Sequence, residues 1–120
     1  MITLDDSPHS YFDYVTTAEE ELQLIMDENG YDIDEAIGFL LSELEVRFVR
    51  HPNEEPLALI AIYSSGVRRG VDLSEYRGMM VEQIREALES AAIRDYRATA
   101  SGRDSELLTR DIALVLEKLP

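Results

Sequence analysis

The chain has no cysteine, which excludes disulfide staples, thiolate nucleophiles and cysteine-ligated metals and fits a reducing compartment. It has no apolar run near the roughly 20 residues that cross a bilayer; the longest covers residues 57–63. The opening MITLDDSPHS places no basic region ahead of an apolar one, unlike a secretory signal, so a cytoplasmic location is expected, with no membrane partner. Most informative is a missing sign of charge. Residues 1–45 contain 13 acids and no Lys or Arg.

The whole chain carries 25 acids and 11 bases, a net charge of -14. Residues 1–55 hold 15 of the acids against Arg47 and Arg50, a net of -13, and residues 56–120 are nearly balanced at -1. Such a boundary speaks about partners and solubility rather than fold. It argues against direct nucleic-acid binding through the N-terminal half and favours a cationic partner, with solubility as the rival explanation. The 120 residues with 45% hydrophobic content suit a single domain, residues 1–120, with one core.

Hydrophobic periodicity and capping signals predict a mainly α protein, a compact bundle of four to five helices. Residues 1–16 read as irregular or briefly extended, with Tyr11, Phe12, Tyr14 and Val15 either anchored in the core or exposed as contact area. Thr17 and Glu20 form a capping box that starts a first helix, with Ala18, Leu22, Ile25 and Met26 on one face and Asn29-Gly30 as its stop. Asp32 and Glu35 start a second, whose stripe is Ile33, Ile37, Leu40, Leu41, Leu44 and Phe48, ending before Pro52. Residues 57–63 suit a buried strand or a buried helix. Helical neighbours favour a helix capped by Asn53, and the alternative is a short β-hairpin pairing residues 46–50 with 57–63. Asp72 and Glu75 frame a short helical turn broken at Gly78. Residues 79–97 read as one long helix with Met80, Ile84, Leu88 and Ala91 inward. Residues 98–104 read as a loop, and residues 105–119 as a last helix with Leu108, Ile112, Val115, Leu116 and Leu119 on its apolar side and Lys118 near its favourable C-terminal end.

Several patterns touch on chemistry. Asp5, Asp6, His9 and Asp13 bring oxygen and imidazole ligands close in sequence without a recognised ligand framework. Residues 27–34 have calcium-loop composition, but glycine falls at the fourth position instead of the sixth and Gly38 stands where the twelfth-position Glu belongs; an Asn-Gly turn followed by an N-cap explains them. His9 and His51 are the only histidines, and no nucleophile-elbow motif accompanies them. Arg68 and Arg69, between Gly66 and Gly70, suit a phosphate, or else pair with the protein's own acidic half, within the chain or across a homodimer. No catalytic residue, metal or cofactor is assigned, and the chain is not read as an enzyme.

The acidic half is the strongest functional candidate. Carboxylates complement a basic surface and speed encounter, and aromatics supply the affinity that charge alone does not. The candidate partner-binding set is Tyr11, Phe12, Tyr14, Glu19, Glu20, Asp27, Glu28, Tyr31, Asp34, Glu35 and Glu43. In size, acidity and lack of cysteine the chain resembles bacterial immunity proteins and antitoxins. That resemblance, of bulk character and of no particular residue, implies an inhibitor that neutralises a basic protein partner, such as a nuclease toxin, by tight one-to-one binding. The alternatives are a DNA-mimic protein, a structural adaptor, or a small enzyme with His/carboxylate chemistry.

Overall fold

The computed structural model describes residues 10–43, 55–75, 79–100 and 102–119. Its helices are α1 (Tyr11–Asn29), α2 (Ile33–Ser42), α3 (Glu55–Arg68), a 3-10 turn at Leu73–Glu75, α4 (Met79–Glu89), α5 (Ala91–Thr99) and α6 (Gly102–Lys118). No strand occurs among the described residues.

The centre of the bundle is α3. Every residue from Leu57 to Gly66 is buried, because a helix apolar all round is stable only when enclosed. The other five helices pack against it. Residues 57–63 are therefore helix and not strand. The hairpin alternative fails there, and its other arm, residues 46–50, lies outside the described residues, as do Asn53, Leu44, Phe48 and Pro52. Pro56 sits in the first turn of α3, where a missing amide leaves no bond unmade. One continuous core joins α3 to Leu22 and Ile25 of α1, Ile37 and Leu40 of α2, Ile84 of α4, Ile93 of α5, and Leu108 and Val115 of α6. Each such side chain contributes about 1.5–3 kcal/mol when fully buried.

The α1–α2 corner forms as its sequence specifies. Gly30 adopts φ 67° and its amide closes on the Met26 carbonyl at 2.9 Å, the left-handed C-cap that glycine accepts without steric cost. Asp32 then caps α2 in a complete box with Glu35, the arrangement its side chains predict.

Four expectations need correction. First, α1 begins at Tyr11 and not at Thr17, which is buried mid-helix. Ser10 caps it, accepting from the Asp13 amide, and tertiary contacts described below hold the two preceding amides. Second, residues 79–97 are two helices. The Ser90 hydroxyl accepts from the Ile93 amide and donates to the Ala87 carbonyl, so it ends α4 and caps α5. The break shifts the inward face, leaving Ala91 exposed while Ala87 and Ile93 are buried. Third, α6 starts at Gly102, so most of the expected 98–104 loop is helical. Fourth, Leu116 is 52% exposed, because Asp111 takes a place on the inner face of α6.

Candidate functional site: the acidic face of α1 and α2

Backbone bonds and side chains from other helices fix the position of α1. The Tyr11 amide donates to the Tyr96 hydroxyl at 2.6 Å and the Phe12 amide to Asp104 Oδ1 at 3.0 Å. With Ser10 on the Asp13 amide, these bonds satisfy three of the four orphan donors at the helix start. Arg103 lies over the Phe12 ring, 3.8 Å from its centroid, within cation–π range.

A buried polar junction ties the same helix to α3 and α6. Asp111 is fully buried and accepts from the Tyr11 hydroxyl at 2.6 Å, Arg68 Nη1 at 2.9 Å and Arg110 Nε at 2.9 Å. Burial first, then the charge and hydrogen bond of Asp111, push the Tyr11 phenol well above its ordinary pKa. Arg68 bridges outward from this junction. Its Nη2 reaches Glu19 Oε1 and Ser65 Oγ, each at 3.1 Å.

The end of α3 explains the placement of both arginines. The Val71 amide bonds the Gly66 carbonyl and the Gly70 amide bonds the Val67 carbonyl, each at 3.0 Å. With Gly70 at φ 103°, this is a Schellman closure, which leaves Arg68 and Arg69 as the last helical residue and the C-cap. Cations are favoured there by the helix dipole. Gly66 also permits close packing, since a Cβ at that position would come within 2.5 Å of Ile37 Cδ1 of α2. Arg69 reaches back to α1, with Nε 3.1 Å from Glu19 Oε2 and Nη1 2.9 Å from Gln23 Oε1. Both arginines are thus engaged by the protein's own acidic half, within the chain, and not arranged as a phosphate cradle. Partial burial pushes the Glu19 pKa up, but hydrogen bonds from Arg68, Ser65 and Arg69 outweigh it and hold the carboxyl below its usual range.

The candidate binding residues separate by environment. Tyr11 and Tyr14 are core residues, so they anchor α1 and cannot serve as surface contacts. Phe12 is half-buried beneath Arg103. Tyr31 is half-buried and tilted against Phe39, with ring centroids 6.1 Å apart. Glu19 is engaged by both arginines, and Glu35 by the α2 cap. Glu43 is half-buried at the end of α2. Glu20, Asp27, Glu28, Asp34 and Glu35 are exposed. Asp27 accepts from Gln23 Nε2 at 2.9 Å. Along the exposed side of α1 runs a shallow groove of about 450 Å3, lined by Glu19, Glu20, Gln23, Leu24, Asp27 and Arg69. A second groove of about 300 Å3 lies between the start of α3 and α4, between Glu55 and Leu59 on one side and Gln83 and Glu86 on the other.

Among the described residues, no three His, Asp or Glu side chains converge in a way that could hold a metal ion. Residues 27–34 are a helix end, a turn and a cap. Asp5, Asp6, His9 and His51 lie outside the described residues. No described helix is long and apolar enough to cross a membrane. No protein-family model, curated protein or solved structure matches the chain.

The Asp111 junction escaped the sequence reading, although a signal for it was present. Leu108, Ile112 and Val115 define the inner stripe of α6, and position 111 lies on that same stripe, three residues after Leu108 and four before Val115. An acid inside an apolar stripe calls for a buried cationic partner.

Proposed function

We propose that the protein is a protein-binding module whose acidic α1–α2 face docks a basic protein, and that it acts as an inhibitor in the manner of an immunity protein or antitoxin. One observation carries this reading. Residues 10–43 hold ten acids and no Lys or Arg, yet only some of those acids serve the fold. Glu19, Asp32 and Glu35 have internal partners, and Glu21 is buried. Glu20, Asp27 and Glu28 face solvent on α1, and no base among the described residues pairs with them. Half-exposed Leu24 and Tyr31 add the apolar contact that converts encounter into affinity. A basic nuclease toxin fits such a face, because carboxylates occupy a groove that otherwise receives phosphates.

The test begins with a basic protein recovered from the native host or encoded beside this chain, purified and measured as a pair. Charge reversal at four positions (Asp27→Lys, Glu28→Lys, Asp34→Lys and Glu35→Lys) should slow association by about tenfold or more and flatten its dependence on salt. Unchanged affinity and association rate would remove the acidic face from the interface. A partner that keeps its own activity in a stoichiometric complex would make this chain an adaptor instead of an inhibitor.

A further inference from the structure

Building on that docking face, we propose that Arg69 is an autoinhibitory contact. Its guanidinium sits in the α1 groove where an arginine of the partner binds, and it must move aside for the partner to enter. Among the described residues, Arg69 is the one basic side chain lining the groove, and its fork spans two acceptors one helical turn apart, Glu19 Oε2 and Gln23 Oε1. A planar guanidinium satisfies that pair at once, whereas an ammonium is a point charge. Arg69 therefore shows the chemistry that the groove selects, a guanidinium laid along α1.

The fold does not depend on this side chain. Backbone bonds from residues 69, 70 and 71 close the end of α3, and Arg68 supplies the tie to Asp111 of α6 and to Glu19 of α1. If Arg69 withdraws, Glu19 keeps Arg68 on Oε1. Gln23 carries the consequence along the groove, since its amide accepts from Arg69 and donates to Asp27. An arginine arriving between Glu20 and Asp27 competes for the groups that Arg69 holds. Displacement is easy because a partly exposed ion pair is worth only about 0.2–1 kcal/mol, at most a fivefold effect.

A fluorescein-labelled hexa-arginine peptide, followed by anisotropy, tests this on the intact chain. Arg69→Lys leaves the net charge unchanged and loses the fork; it should tighten binding about twofold. Arg69→Gln should tighten it about three- to fivefold. Arg85→Gln makes the same charge change on α4, a helix packed on α3 and α5. It should shift binding less than about 1.5-fold at 0.15 M salt, where charges are screened beyond about 8 Å. Circular dichroism confirms that each variant keeps its helices. If Arg69→Lys matches the wild type and Arg69→Gln matches Arg85→Gln, the autoinhibitory contact is overturned while the docking face stands. The double variant Glu20→Gln/Asp27→Asn should weaken binding about threefold or more. Should it bind as well as the wild type, the docking face itself fails, and the role of Arg69 with it.

Discussion

Replacing Asp111 by Asn tests whether the buried junction holds α1, α3 and α6 together. The carboxylate is fully buried and anchors three donors. Removing one partner of a buried ion pair costs about 3–5 kcal/mol when the other charge stays dry. Here Arg68 and Arg110 are 28% and 51% exposed, so both guanidinium groups recover water, and their links to Asp111 fall toward the surface value of under about 1 kcal/mol each. The Tyr11 hydroxyl has no such escape. Its bond to a charged acceptor is worth about 1.5–3 kcal/mol. The sum predicts a loss of about 1.5–5 kcal/mol for Asp111→Asn, part of which the amide oxygen restores. With a urea slope of about 1–3 kcal/mol/M, the midpoint should fall by roughly 1 M. Tyr11→Phe, which leaves the carboxylate with both arginines, should lose the worth of that one bond, about 1.5–3 kcal/mol. The double variant should cost less than the two singles together by about 1 kcal/mol, because the shared bond is removed only once. Urea titrations followed by circular dichroism measure all three. A loss below about 0.5 kcal/mol for Asp111→Asn, or strict additivity, would show that the junction is not an energetic anchor.

Two further outcomes follow from charge and burial. With a net charge of -14, self-repulsion opposes the compact state; raising salt from about 0.01 to 0.15 M shortens the screening length from about 30 to 8 Å and should raise the urea midpoint. A fall would mean that the ion pairs around Arg68 outweigh the repulsion. Burial raises the Tyr63 pKa to about 12, and burial together with Asp111 raises that of Tyr11 well above its ordinary value. Because these folded-state values lie above the unfolded value of about 10, the stability they contribute is complete below that pH and is lost as pH climbs through the folded values. Phenolate absorbance should therefore show Tyr11 and Tyr63 ionising late, together with alkaline unfolding. Early ionisation of both would contradict the burial, and Tyr63→Phe should remove part of the late phase.

Local signals made much of the fold legible, and non-local ones did not. Asn29-Gly30 and Asp32 with Glu35 each act within a few residues, so their sequence alone specifies a stop and a start. The apolar run at 57–63 left strand and helix open because both bury such a run; enclosure by five other helices decides it. The start of α1 was hidden for a different reason. Thr17 and Glu20 have the spacing of a capping box, but Tyr96 and Asp104 hold amides of Tyr11 and Phe12 from 85 and 92 residues away. No local pattern encodes such partners. Ser90 interrupts a periodic segment without glycine or proline, which made the break at α4–α5 easy to overlook. At the site, the acidity was legible by counting, whereas the division between buried and exposed aromatics depended on where α1 began. Once the helix extends back to Tyr11, Tyr11 and Tyr14 fall on the stripe of Ala18, Leu22 and Ile25.

The acids of this chain divide into those that complete the fold and those that do not, and the division bears on solubility as the rival to binding. Asp104, Asp111, Asp32 and Glu19 hold a helix amide, a buried junction, a cap and an arginine pair. Asp72 closes its own turn on Ser74, whose hydroxyl and amide hold its carboxyl below the usual range. Solubility would be served equally by carboxylates anywhere on the surface. What solubility does not require is that Glu20, Asp27 and Glu28 share the exposed side of one helix, with half-exposed Leu24 among them and with Arg68 and Arg69 directed at Glu19. A charge that acts by its sum can be moved without consequence, but one that acts by its place cannot. Moving Glu20 and Asp27 to exposed positions on α5, at constant net charge, therefore separates the two explanations: solubility survives under either, and binding of a cationic partner survives only if the sum is what matters.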